Sequence, residues 1–134
     1  MELRKIKRIK EDLNELKESF EVVIYGSFVE GGMRPNSDLD IAVITRSNNK
    51  EKNKKIQMEL FGIASLKYDI RIFELLPIYI QIAIVNNYRV LFGDILEISE
   101  YFRQFRKKWD DCKERILSNQ FKSVKERLKL LKSF

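Results

Sequence analysis

The sequence predicts an α/β (α+β) fold: a small mixed β-sheet flanked by helices, followed by a long C-terminal helical segment. Three observations predict it. Short apolar runs alternate with segments whose apolar residues recur every three or four positions. The last third of the chain keeps the helical spacing almost throughout. With 44% hydrophobic and 34% charged residues over 134 positions, the composition is that of one soluble domain with a modest core, and it argues against disorder.

The elements follow in order. Leu3, Ile6, Ile9, Leu13, Leu16 and Phe20 recur at three- and four-residue spacing, which predicts an amphipathic helix over residues 2–19. Val22 to Tyr25 is the first strand and Leu39 to Thr45 the second. The polar tract Arg46 to Lys55 is a loop leading into a helix over Lys50 to Leu66, with Ile56, Leu60 and Ile63 inward. Tyr68 to Leu75 is the third strand. Ile78, Ile80, Ile82 and Ile84 alternate as a strand would, but Pro77 suits the first turn of a helix, and a helix to about Asn86 is expected. Arg89 to Phe92 is a short edge strand. From Ile98 to Lys132, Phe102, Phe105, Trp109, Cys112 and Ile116 form one seam, expected to pack on the sheet. Leu117, Phe121, Val124, Leu128 and Leu131 continue it one residue out of phase, so either one helix bends near Ser118-Asn119 or two helices meet. The second stripe has more apolar surface than a lone helix end hides, which points to a partner.

The most informative stretch joins the first two strands. Gly26-Ser27 is followed, after ten residues, by Asp38-Leu39-Asp40. Residues two apart on a strand face the same way, so Asp38 and Asp40 project together. Two such close like charges are unfavourable without a cation between them. Hard oxygen donors at that spacing suit Mg²⁺, which takes one or two carboxylates and completes its octahedron with phosphate and water. Gly26 permits close backbone approach, and Ser27 adds a hydroxyl where amides cradle an anion. Together these are the parts of a site for nucleotide chemistry. The plainer reading, a solvated turn and an N-capping Asp pair, is disfavoured because Ile41 to Ile44 continues as a strand.

Gly26-Ser27…Gly31…Arg34-Pro35-Asn36-Ser37-Asp38-Leu39-Asp40 resembles the signature of the DNA polymerase β-like nucleotidyltransferase superfamily, and most of all its minimal nucleotidyltransferase (MNT) branch. The resemblance implies a nucleotidyltransferase domain over residues 1–98 with a helical extension over 99–134. It also implies a helix after Pro77 and a third carboxylate on a neighbouring strand, for which Asp69 in Lys67-Tyr68-Asp69-Ile70-Arg71 is the best match. Glu74 is the substitute if the register differs, and a plain Asp69–Arg71 surface pair is the structural alternative. Asp38, Asp40 and Asp69 then become catalytic residues and ligands of two Mg²⁺ ions, while Gly26, Ser27, Arg34 and Ser37 face the nucleotide, with ATP as substrate. Relatives often carry Arg where this chain has Phe28 and Glu30, and Glu30 places a negative charge near the triphosphate. Tyr25 and Trp109 read as core residues rather than base platforms, and Cys112 as a small apolar filler.

Composition narrows the function further. No His is present and Cys112 is the single cysteine, which excludes an internal disulfide, His-based zinc sites and imidazole catalysis. No apolar run reaches the length of a membrane span and the N-terminus lacks a signal-like h-region, so a cytoplasmic protein is expected. Of the net charge of +6, residues 101–134 carry +7 and residues 45–55 carry +4. A basic rim suits polyphosphate or nucleic acid, but on charge alone Lys-rich solvated helix faces are the favoured reading. The resemblance implies AMP transfer to a tyrosine of a HEPN-type helical partner, as the antitoxin of a toxin–antitoxin pair. The alternatives are transfer to a small molecule or RNA, and a binding module that neutralises its partner by contact. A homodimer through the C-terminal helix is a further possibility; nucleic acid is a less favoured partner, and no membrane is expected.

Overall fold

A computed structural model describes residues 2–26, 29, 39–63 and 68–132, with side chains described for 4–26, 29, 39–62 and 68–115. Helix α1 (Glu2–Asp12) leads through a 3₁₀ turn (Asn14–Leu16) into β1 (Glu21–Tyr25). Strand β2 (Leu39–Ile44), helix α2 (Lys50–Ile63), strand β3 (Tyr68–Ile72), a second 3₁₀ turn (Phe73–Leu75), helix α3 (Ile78–Asn86), strand β4 (Tyr88–Phe92) and helix α4 (Ile95–Lys132) follow. The sheet has the order β3-β2-β1-β4. Strand β1 is antiparallel to both β2 and β4, and β2 is parallel to β3. The sheet is therefore mixed, with β4 at one edge, as the sequence predicts.

Alternation along the strands sends side chains into two separate cores. Val22, Ile24, Ile41, Val43, Ile70 and Ile72 pack beneath α1 and α2 with Ile6, Ile9, Leu13, Leu16 and Leu60. Val23, Ala42, Ile44 and Phe73 face the other way, against Ile82, Ile84 and Val85 of α3 and Ile98 and Phe102 of α4. An aromatic group closes that second core. Phe73 meets Phe102 and Phe105 with ring centroids 4.8 Å apart in each case, and Tyr88 meets Phe102 edge-on at 4.8 Å. Burial of a side chain such as Phe102 contributes about 2–3 kcal/mol, so the start of α4 is part of the domain's own core. The seam of Phe102, Phe105 and Trp109 packs on the sheet as expected, with Cys112 half-buried beyond it.

Several boundaries differ from the sequence reading, each for a local reason. Helix α1 stops at Asp12, whose carboxylate accepts a hydrogen bond from the Tyr68 hydroxyl. The apolar spacing survives because Leu13 and Leu16 are three apart, which a 3₁₀ turn repeats as well as a helix. Strand β3 ends at Ile72, not Leu75, because Phe73–Leu75 coil into the second 3₁₀ turn. Strand β2 ends one residue before Thr45, and Arg46 takes a positive φ of 60°. The isoleucine run after Pro77 is helical, as predicted, with Gln81, Ile82, Ile84 and Val85 buried. Helix α4 is one continuous helix of 38 residues, which resolves the choice between one helix and two. The apolar stripe from Leu117 to Leu131 lies beyond the described side chains.

Candidate active site

Strand register brings the chemistry together. Tyr25, the last residue of β1, is paired with Asp40 near the start of β2, and Asp40 is paired in turn with Asp69 near the start of β3. Tyr88 of β4 is paired with Tyr25 on the other side. Directly opposed residues share a face, so Tyr88, Tyr25, Asp40 and Asp69 form one row across all four strands. The row lies on the sheet face that α3 and α4 cover further along. Asp40 and Asp69 are thus adjacent on parallel strands. Parallel pairing leaves two carboxylates side by side, an arrangement that repulsion opposes unless a cation joins them.

Gly26 sits against the Asp40 member of this pair. Its φ is +77°, a left-handed conformation open to glycine at little cost. A side chain there would run into the Asp40 carboxylate: a Cβ built on Gly26 overlaps Oδ2 of Asp40. The Gly26 carbonyl accepts from the Val29 amide at 3.1 Å, which turns the chain immediately after the strand. The conformational freedom predicted for Gly26 is therefore used twice, for the turn and for the close approach of backbone to carboxylate.

Tyr25 reports the field of the site. Its hydroxyl is pushed up to about 12, first by burial and then by the negative charges of Asp40 and Asp69, with Arg71 acting against them. Tyr25 packs against the second core as the sequence suggests, yet its hydroxyl also lies within the influence of both carboxylates. Sequence periodicity carried no sign of that second role. Arg71, two residues beyond Asp69, donates from Nε to Asp69 Oδ1 at 3.0 Å. Its guanidinium lies 5.8 Å from the centroid of the exposed Phe61 ring. The Asp69–Arg71 pair weighed from sequence is present, and it coexists with the alignment of Asp69 beside Asp40.

Glu74 has a different place and a different task. It lies past the far end of β3, where its carboxylate accepts from the Thr45 amide at 3.0 Å, the Thr45 hydroxyl at 3.2 Å, the Arg46 amide at 2.9 Å and the Tyr101 hydroxyl at 2.7 Å. Arg46 completes the cluster. It forms a bidentate pair with Glu21, donates to the Glu97 carbonyl at 3.1 Å and lies over the Tyr101 ring at 4.7 Å. This network ties β1, β2, the second 3₁₀ turn and α4 together. Glu74 does not join Asp40.

Asp38, Ser27, Arg34 and Ser37, together with Phe28 and Glu30, lie outside the described residues. Among the described residues no group of three His, Cys, Asp or Glu side chains gathers to hold a metal ion; Asp40 and Asp69 are an aligned pair of carboxylates. Their donor type fits a hard divalent cation such as Mg²⁺, which uses carboxylate oxygens and shuns softer ligands. A cavity of about 830 Å³ runs along α4 between Ser99, Arg103, Gln104 and Lys107, and its described lining includes neither carboxylate. Strand register, rather than cavity volume, marks the candidate site.

Comparison with known proteins agrees with this geometry. Residues 6–91 match the nucleotidyltransferase domain family. A Methanocaldococcus jannaschii protein, whose name provisionally assigns it protein adenylyltransferase activity, is 42% identical over 115 residues, covering 86% of this chain and 89% of its own. Among solved structures, a chain of a mutant MntA–HpeT toxin–antitoxin complex superposes with a TM-score of 0.66 at 12% identity, over 89% of this chain and 98% of that one. A chain of a toxin–antitoxin structure with AMP-PNP gives 0.61 at 15% identity, over 92% and 98%. A chain from a Shewanella oneidensis tri-AMPylated HEPN toxin bound to its MNT antitoxin gives 0.53 at 14% identity, over 90% and 99%. At these identities the solved structures establish the shared fold. The match over the sheet and its carboxylate strands, with the extent of the archaeal identity, places this chain in the nucleotidyltransferase-domain family, as an enzyme of the kind its motif implied.

Proposed function

We propose that this nucleotidyltransferase is an Mg²⁺-dependent protein adenylyltransferase that moves AMP from ATP to a tyrosine hydroxyl of a HEPN-type partner, as the antitoxin of such a pair. The observation that carries the reading is the register Tyr25–Asp40–Asp69 beneath Gly26. The name of the archaeal relative and the partners of the structural neighbours support the acceptor class. No helix among the described residues is long and apolar enough to cross a membrane, in keeping with a cytoplasmic reaction.

Asp40 and Asp69, with Asp38 two residues before Asp40 in sequence, are the residues that would hold two Mg²⁺ ions. When bound, such ions polarise the α-phosphate and neutralise charge on the departing pyrophosphate. The chain's own residues do the rest. Gly26 leaves backbone room for the triphosphate, with Ser27, Arg34 and Ser37 as its other neighbours in the motif. Asp69 accepts the proton of the acceptor hydroxyl. The acceptor oxygen forms a bond to the α-phosphorus as the bond from that phosphorus to the bridging oxygen breaks, and pyrophosphate departs with the electron pair. The basic, apolar C-terminal half of α4 is the proposed docking surface for the acceptor protein.

The test is a mass measurement. Purified protein, ATP, Mg²⁺ and the product of the adjacent gene should give a partner heavier by one AMP group, localised to tyrosine. Asp40→Asn and Asp69→Asn should each lower the yield by at least about a hundredfold. An unmodified partner with wild-type protein, or full modification with Asp40→Asn, would sink the assignment.

A further inference from the structure

The geometry points to Arg71 as a movable counter-ion of the carboxylate row: it occupies Asp69 in the free protein and passes to the nucleotide's polyphosphate when the metal enters. This rests on the adenylyltransferase reading above and adds a residue that the motif does not contain.

Four observations carry it. Arg71 shares a face with Asp69 and donates Nε–H to Oδ1 at 3.0 Å, so a cation already sits on Asp69 before any metal enters. The Arg71 charge also acts on Tyr25, opposing Asp40 and Asp69, so its field extends beyond Asp69 along the row. Its partner on β2 is Ala42, a side chain too small to fence it in. Finally, Phe61 leaves about half of its ring in solvent on α2, outside both cores. That ring lies 5.8 Å below the guanidinium, within the range of a cation–π contact. An aromatic platform independent of Asp69 lets the guanidinium stay nearby when the carboxylate is taken.

The charge sequence follows from simple electrostatics. Without metal, Asp40 and Asp69 repel, and Arg71 on Asp69 relieves part of that repulsion. A divalent cation on the same oxygens repels the guanidinium, so metal binding must displace it. The Asp69–Arg71 pair is half-exposed, with side-chain exposures of 36% and 49%, and exposed pairs are weak. The resulting penalty on metal affinity is about two- to fivefold. The arriving triphosphate is strongly anionic, and a planar guanidinium with five N–H donors suits phosphate oxygens. The freed Arg71 therefore weakens bare metal binding and strengthens nucleotide binding.

Opposite signs make this testable apart from any effect on folding. Mn²⁺ titration of the full chain by electron paramagnetic resonance, without nucleotide, should show Arg71→Gln binding about two- to fivefold tighter than wild type. Calorimetry of ATP at saturating Mn²⁺ should show the same variant binding about tenfold weaker. Arg71→Lys, which keeps charge but loses the fork, should lie between the two in both titrations. Equal Mn²⁺ affinities, or a change of the same sign in both titrations, would overturn the role of Arg71 while leaving the metal site intact, provided that wild type binds Mn²⁺ and Asp40→Asn does not. If wild type and Asp40→Asn both fail to bind Mn²⁺, the metal reading itself fails and the Arg71 exchange falls with it.

Discussion

Replacing Gly26 by alanine separates the backbone demands of the site from the stability of the fold. Two costs are expected. A left-handed φ of +77° costs an L-residue about 1–2 kcal/mol relative to glycine. The new methyl also overlaps the Asp40 carboxylate, so either Asp40 rotates away or the backbone at Gly26 shifts. Asp40 lies near the start of a strand and is half-exposed, and rotation is the easier response. The fold should therefore lose only about 1–3 kcal/mol in urea denaturation, with the cooperativity of unfolding unchanged. Metal binding and AMP transfer should suffer far more, because a ligand misplaced by about 1 Å costs on the order of a hundredfold in rate. Gly26→Ala should resemble Asp40→Asn in activity and wild type in fold. A variant with wild-type Mn²⁺ affinity and wild-type transfer would show that Asp40 is not held against Gly26 in the working enzyme.

Two further outcomes follow from the structure. Glu74→Ala removes the acceptor for the amides of Thr45 and Arg46 and the hydroxyls of Thr45 and Tyr101, and should destabilise the domain by about 3 kcal/mol in urea. Its Mn²⁺ affinity should stay at the wild-type value; a loss of metal binding in the folded variant would return Glu74 to the list of ligands. At alkaline pH, Tyr25, Tyr68 and Tyr101 all hold their protons more tightly folded than unfolded, in each case chiefly through burial. The unfolded chain then releases protons first, so their contribution is complete below the ordinary tyrosine value of 10.0 and is lost as pH rises toward about 12 for Tyr25 and beyond it for the other two. Tyr25 and Tyr101 are partly exposed, so each should contribute a slope below the ~1.4 kcal/mol per pH unit of a fully shielded group. Urea midpoints should fall steadily above about pH 10, with phenolate absorbance following unfolding; a flat midpoint there would contradict the placement of all three.

Much of this site was legible because its logic is one of short-range alternation. The separation of Asp69 and Arg71 from Ile70 and Ile72 follows from strand period alone, and the register Asp40–Asp69 realises it. The motif resemblance proposes Asp69 as the third carboxylate; strand pairing sets Asp69 beside Asp40, whereas Glu74 lies past the other end of β3. What stayed hidden was long-range. Glu74 is tens of residues from Thr45, Arg46 and Tyr101, and no local pattern announces that one carboxylate gathers four donors. The ends of α1 and β3 were misread because apolar spacing of three fits both a helix and a 3₁₀ turn, and because an apolar run does not show where the backbone coils.

The two carboxylate clusters explain why one small sheet serves both purposes. Both involve β2, and they occupy its opposite ends. At the end beyond Ile44, Glu74 is surrounded by donors, and Arg46 and Tyr101 fasten it to α4. Its charge is fully engaged and it contributes rigidity. At the other end, Asp40 and Asp69 are set side by side, with Gly26 against the Asp40 carboxylate and Arg71 donating to Asp69. Two adjacent carboxylates repel, and in the proposed reaction a divalent cation carrying a triphosphate offsets that repulsion. The strand that is anchored by a satisfied acid at one end can therefore carry a closely spaced acidic pair at the other. The same physics yields a structural joint and a proposed catalytic centre at opposite ends of one strand.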